Sequence, residues 1–135
     1  RIIYSVVIAI ACLGGIFHVL LAHLQKLDGL ALWADHGVHT FMPIISVVWL
    51  LCFGPTRKVT ISDPAAWVAW PLLYFGYALL RASWSGFYPY PFLNVPKVGW
   101  SGLAINVAGM ILVFVATGFA LTALVRFLRS TDQSG

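Results

Sequence analysis

The run IIYSVVIAIACLGGIFHVLLAHL, residues Ile2 to Leu24, decides the fold. It carries no lysine, arginine, aspartate or glutamate, and its only basic side chains are His18 and His23. A membrane span needs about 20 predominantly apolar residues, and this run supplies them. A secretory signal is the competing reading. It fails on length and because three more apolar segments follow, from about Val38 to Phe53, Pro64 to Leu80 and Gly99 to Val125.

The whole chain has the same character. Of its 135 residues 61% are hydrophobic and 9% charged, with a mean hydropathy of +0.91. A soluble domain is about 25% charged, and a chain this poor in charge cannot cover a water-facing surface. The expectation is an all-α polytopic membrane helix bundle of four transmembrane helices. It forms one domain over residues 1–128, followed by a polar, disordered tail at 129–135. Cys12 and Cys52 sit inside apolar runs without metal spacing and read as small buried hydrophobes. The net charge of +4 is scattered over span ends rather than clustered, so membrane lipids and not nucleic acid are the expected partners.

Boundaries carry their own chemistry. Gly54-Pro55 stops the second segment. Ser62 or Asp63 can cap the third, with Pro64 suited to its first position. Pro43 and Pro71 fall inside apparent helices and predict kinks. An even number of crossings puts Arg1, Arg57, Lys58, Arg126 and Arg129 on one face, against Lys26, Arg81 and Lys97 on the other. That bias predicts cytoplasmic termini, with Trp33, Trp84, Tyr88, Tyr90 and Trp100 as an outer interfacial belt.

The chemistry-bearing residues concentrate in ADHGVHTFMPI, Ala34 to Ile44, where Asp35, His36 and His39 crowd together ahead of the second apolar run. His36 and His39 share a helix face, and His18 and His23 can approach from the preceding span. Three readings stand open. The residues are interfacial polar groups bonded to backbone, water or headgroups, or they hold a metal or haem, or they include a general base. Metal spacing is weak, so no metal and no cofactor is expected. Thr40 follows His39 directly, and a helix turns its side chain about 100° away, which makes it a poor nucleophile for that histidine. Ser5, Ser46, Thr117 and Thr122 read as hydroxyls bonded to helix carbonyls.

The second dense stretch is GFYPYPFLNV, Gly86 to Val95. Two prolines alternating with aromatics predict an extended or turning segment at the outer interface. It serves as a rigid anchor, as the wall of an outer-leaflet pocket, or as both. Arg81 ends the third helix beside it and can snorkel to the interface or hold a carboxylate or headgroup.

DHGVHTFMP, then WPLLYFGYALLR, then GFYPYPFLNV, together resemble the bacterial Pr6Pr-type six-span membrane proteins. These are similar to the androgen-induced gene and androgen-dependent TFPI-regulating protein family of threonine hydrolases. The resemblance covers about Leu32 to Ala108. It implies a lipid esterase that cleaves fatty acid esters of hydroxy fatty acids with a threonine nucleophile and a histidine, the latter matching His39. It further implies that the threonine lies on an early helix, with two helices preceding Arg1. His36 and Asp35 would orient His39, free N–H groups at the helix start would hold an oxyanion or carboxylate, and Arg81, Tyr88, Tyr90 and Phe92 would bind the substrate.

Two function classes therefore stay open: a membrane lipid ester hydrolase, or a non-enzymatic membrane protein such as a small transporter, an assembly subunit or a haem- or metal-binding bundle. A transporter would want polar groups along several spans, and the fourth offers only Asn106 and Thr117 deep inside. Asn106 with Gly102 and Gly109 reads as a packing face.

Overall fold

The computed structural model describes residues 2–24, 26–56, 58 and 60–132. They form a bundle of four helices with no strand among them: α1 (Ile2–Leu24), α2 (Leu30–Phe53), α3 (Asp63–Ser85) and α4 (Val95–Asp132). α1, α2 and α4 are long and apolar enough to cross a membrane. α3 has 23 residues, about 34 Å at 1.5 Å each, which matches a hydrocarbon core in length. It is less apolar, because Asp63, Arg81, two serines and five tryptophan and tyrosine rings interrupt its aliphatic residues. The expected third span is thus a helix of spanning length that composition alone does not mark as one.

Contacts run antiparallel between α1 and α2. The Tyr4 hydroxyl donates to the Pro55 carbonyl at 2.9 Å, Gly14 lies against Pro43, and Phe17 against His39. α1 and α4 each touch the other three helices and form the middle of the bundle. Around them Tyr4, Ile8, Leu50, Trp67, Phe114 and Val125 pack into a core at the end holding the chain's first residues. A second core at the opposite end joins Phe75 and Ala78 of α3, Leu93 of the loop, and Leu103 and Met110 of α4. Many large apolar side chains point outward instead, among them Leu30, Phe53, Trp70, Ile105 and Leu112. Water would penalise such a surface, whereas lipid accepts it.

The ends are tied by polar side chains. The Arg129 guanidinium donates to the carbonyls of Cys52 (2.7 Å) and Gly54 (3.2 Å), which the end of α2 leaves without helical partners. α4 itself runs on to Asp132, and residues 133–135 of the expected tail lie outside the described residues. At the start of α3 the Asp63 carboxylate accepts the Thr60 N–H and fixes the entering turn. Near the start of α4, Gly99 takes φ 69° and ψ 172°, breaking the helix after its first turn. A side chain there would be strained, so glycine is the residue that permits this bend.

Two sequence expectations change. The second helix does not begin near Val38. It begins at Leu30, because Leu30–Trp33 is itself apolar and helix-forming, and the polar pair that follows is not a boundary. Asp35, His36 and His39 therefore sit about one and a half to two and a half turns inside α2. Their N–H groups serve the helix, so no free helix start is present there to hold an oxyanion. The prolines also differ from each other. α3 continues through the buried Pro71. Before Pro43, α2 widens into a π turn at Gly37–Phe41, where the Met42 N–H reaches back five residues to the Gly37 carbonyl. Pro43 has no N–H for the His39 carbonyl and its ring would crowd that oxygen, and a wide turn relieves both problems.

Candidate active site at two facing pi turns

α1 has a π turn of its own at Phe17–Leu21, closed by the Ala22 N–H on the Phe17 carbonyl. The two wide turns face each other across the α1–α2 contact. Such turns are uncommon and concentrate at functional sites, since each inserts one residue and re-aims its neighbours.

The result is a pair of parallel ladders. In the first, Asp35 Oδ1 accepts from His39 Nδ1 at 2.9 Å, and the His39 ring stacks on Phe17 with centroids 3.9 Å apart and planes 10° from parallel. In the second, Thr40 Oγ1 lies 3.2 Å from His36 Nδ1 and 3.0 Å from His18 Nε2. Each ladder runs from residue i to i+4 on α2 and then across to α1. The second is the first shifted by one residue: 35–39–17 beside 36–40–18.

The Asp35–His39 pair has the geometry of an oriented base. A carboxylate on Nδ1 fixes the tautomer, so that Nε2 carries the lone pair in the neutral ring. Asp35 is the more enclosed partner, its side chain 13% exposed against 34% for His39. Nε2 of His39 has no hydrogen-bond partner among the described residues. His39 lines a cavity of about 120 Å³ whose walls include Phe17, Phe75, Tyr90, Phe92 and Met110. A wider, more polar cavity of about 530 Å³ shares Phe17 with it and is lined by His18, Lys26, Asp28, Asp35 and His36. The dyad thus stands in the wall between an apolar chamber and a polar mouth.

The aromatic loop roofs the apolar chamber. Tyr90 is extended, Pro91–Leu93 form one tight 3₁₀ turn where an extended segment was also open, and Asn106 Nδ2 holds the turn by donating to the Phe92 carbonyl at 2.8 Å. Tyr90 and Phe92 stack with centroids 5.1 Å apart. Burial, with Tyr74 beside it, pushes the Tyr90 phenol up to about 12, so it is a neutral hydroxyl at any ordinary pH.

Of the residues singled out from sequence, His39, Asp35, Tyr90 and Phe92 come together here, and His36 joins through Thr40. Arg81 does not reach either cavity. It is exposed, with its guanidinium 5.6 Å over the Phe87 ring. Tyr88 lines neither cavity, and His23 is exposed and bonded to none of the cluster. Thr40 is not paired with His39, as its position on the helix predicts, yet it has two other histidine partners that sequence reading missed. Phe17, Phe75 and Met110 were missed too, having nothing in sequence to set them apart from other core residues. Among the described residues no group of three or more His, Cys, Asp or Glu is arranged to hold a metal ion.

The fold and site define an integral membrane helix bundle with an Asp–His pair set between its first two helices. The family described as FAR-17a/AIG1-like protein matches residues 9–129, nearly the whole chain, and the protein belongs to that family. No curated protein and no solved structure matches it.

Proposed function

We propose that this protein is a membrane lipid ester hydrolase in which His39 is the general base and Asp35 its orienting partner. The observation that carries the reading is the 2.9 Å Asp35–His39 bond beside an apolar chamber. His39 Nε2 would take the proton of an attacking hydroxyl and return it to the leaving alkoxide, while Asp35 stabilises the intervening imidazolium. The resemblance drawn from the sequence places the hydroxyl on a threonine of an earlier helix, and no described hydroxyl stands at Nε2. The substrate is an amphiphile, with its acyl part in the chamber under Tyr90 and Phe92 and its polar part toward the mouth lined by Lys26 and His18.

His18 of α1 and Asp35, His36 and His39 of α2 gather at one level of the bundle rather than along a path through it, which favours a chemical site over a transport route. The positive charges at span ends support cytoplasmic termini, and the resemblance to bacterial six-span proteins supports an inner-membrane location. The test is turnover of a nitrophenyl ester by the full-length protein in detergent, with a fluorophosphonate probe alongside. His39→Ala is expected to lower kcat by about 10²–10⁴-fold, and Asp35→Asn in the same direction. Full activity in His39→Ala would remove the basis of the assignment.

A further inference from the structure

Among the described residues Thr40 joins two histidines of the site, one on each helix, without lining the chamber. Its hydroxyl meets His36 on its own helix and His18 on α1. A hydroxyl has one proton to give and two lone pairs, so it can bridge two imidazoles when one donates and the other accepts. Valine has the same shape and can do neither.

The position of this bridge decides what it does. Consecutive residues of a regular helix point about 100° apart, so two neighbours do not both point squarely at one partner helix. Here consecutive residues 39 and 40 of one π turn reach consecutive residues 17 and 18 of another. The Phe17–His39 stack is unpolarised and could slide. The His18–Thr40 bond is directional and sits one residue along on both helices, so it sets the register in which the rings overlap. Asp35 fixes the rotation of the imidazole about its own bond, and the stack fixes its plane.

We propose that Thr40 is a positioning residue for His39: by pinning His18 of α1 to His36 of α2 it locks the two π turns in register and holds the Phe17 ring against the base. The proposal rests on the hydrolase reading for its effect on turnover, but the pin itself has a physical signature that does not. A ring stacked at 3.9 Å shifts the carbon-bound protons of His39 strongly upfield, and that shift reports the register directly.

The test uses the full-length protein in detergent and three variants, Thr40→Val, Thr40→Ser and His18→Ala. Each is measured twice, by kcat and KM on a nitrophenyl ester and by the His39 ring-proton shifts in histidine-labelled protein. Thr40→Val is expected to lose the upfield shift and to lower kcat by about two- to twelvefold at unchanged KM, the scale of losing the ring stack that it holds. Thr40→Ser keeps the hydroxyl and is expected to restore both. His18→Ala removes the far end of the bridge at an exposed position, and is expected to follow Thr40→Val if that variant does not fold. Retention of the upfield shift in Thr40→Val, or in His18→Ala, overturns the proposal, whatever happens to kcat. A lost shift in a protein whose parent never turns over ester supports the pin and removes the hydrolase reading instead.

Discussion

The Phe17 ring lies 3.9 Å from that of His39, nearly parallel to it, and each belongs to a π turn that opens toward the other. A stacked imidazole cannot swing about its side-chain bonds, so the pair holds the base ready instead of letting it sample the bilayer interface. Aromatic pairs are worth about 0.5–1.5 kcal/mol beyond the area they bury. Phe17→Leu keeps apolar volume and removes the stack. We expect kcat on a nitrophenyl ester to fall about two- to twelvefold from that energy, with the Asp35–His39 bond intact. A Phe17→Leu protein with unchanged kcat would show that the carboxylate alone positions the ring.

Gly14 and Gly15 are neighbours with opposite expectations. A Cβ on Gly14 would stand 2.5 Å from Pro43 Cγ, 2.8 Å from Pro43 Cβ and 3.0 Å from the His39 carbonyl oxygen. The proline ring cannot fold away, so α1 and α2 would have to separate beside the candidate base. Overpacking of this kind costs about 1–3 kcal/mol, and Gly14→Ala should melt at lower temperature in detergent. A Cβ on Gly15 meets nothing within 4 Å. Gly15→Ala gains up to about 1 kcal/mol of helix propensity and should melt at the same or a higher temperature. Equal behaviour of the two variants would mean that the helices do not meet closely at Gly14.

The contrast between those glycines is also a measure of what the sequence shows. Long apolar runs bounded by Gly54-Pro55 and by the Ser62–Pro64 turn mark the helices, because hydrophobicity and backbone limits are local properties. The proline-aromatic loop is legible for the same reason. The start of α2 is not, since Asp35 and His36 look like an interface when read in one dimension and only packing against α1 turns them inward. Neither π turn has a composition of its own. Each follows from a tertiary conflict, such as the Pro43 ring against the His39 carbonyl, and so the ladders through Thr40 and Phe17 appear only in three dimensions. Arg81, which ends its helix beside the proline-aromatic loop, has its guanidinium over the Phe87 ring, a placement that its sequence position does not indicate.

Tyr90 gives a pH dependence with a definite sign. Its phenol is pushed up from an ordinary 10.0 to about 12, first by burial and then by Tyr74. The folded protein therefore keeps this proton after the unfolded chain has begun to lose it. The stabilisation is fully present below pH 10 and is lost as pH rises through about 12. Tyr90→Phe removes the titration, so its melting temperature should fall less than that of the parent between those two values. Ultraviolet titration of the parent should show one tyrosine ionising later than the exposed ones, and the variant should lack it. If parent and variant lose stability in parallel over that window, Tyr90 is not the group responsible.

The remaining prediction concerns α3, the helix whose length and composition disagree. Its 23 residues match a bilayer, yet tryptophan, tyrosine and Arg81 dilute its apolar content. Inside the bundle that dilution is tolerable, because Trp67, Phe75, Ala78 and Ala82 are buried against other helices and not against lipid. Of the exposed amphipathic rings, Trp84 stands at the end of α3 and can settle near headgroups, while Tyr74, midway along it, packs edge-on against the Tyr90 ring of the loop. If α3 crosses, the loop holding Thr60 and the loop beginning at Gly86 lie on opposite sides. The positive charges Arg57, Lys58, Arg126 and Arg129 then place the Thr60 loop in the cytoplasm. Single cysteines at positions 60 and 86, in a background lacking Cys12 and Cys52, are probed with a membrane-impermeant maleimide on intact cells. We expect labelling at 86 and none at 60 until the cells are permeabilised. Labelling at 60 alone reverses the orientation. Labelling of both or neither before permeabilisation means that α3 lies along one face of the membrane, in which case the Tyr90 roof and the Thr60 loop share that face and the polar mouth lined by Lys26 and His18 must be reached from it.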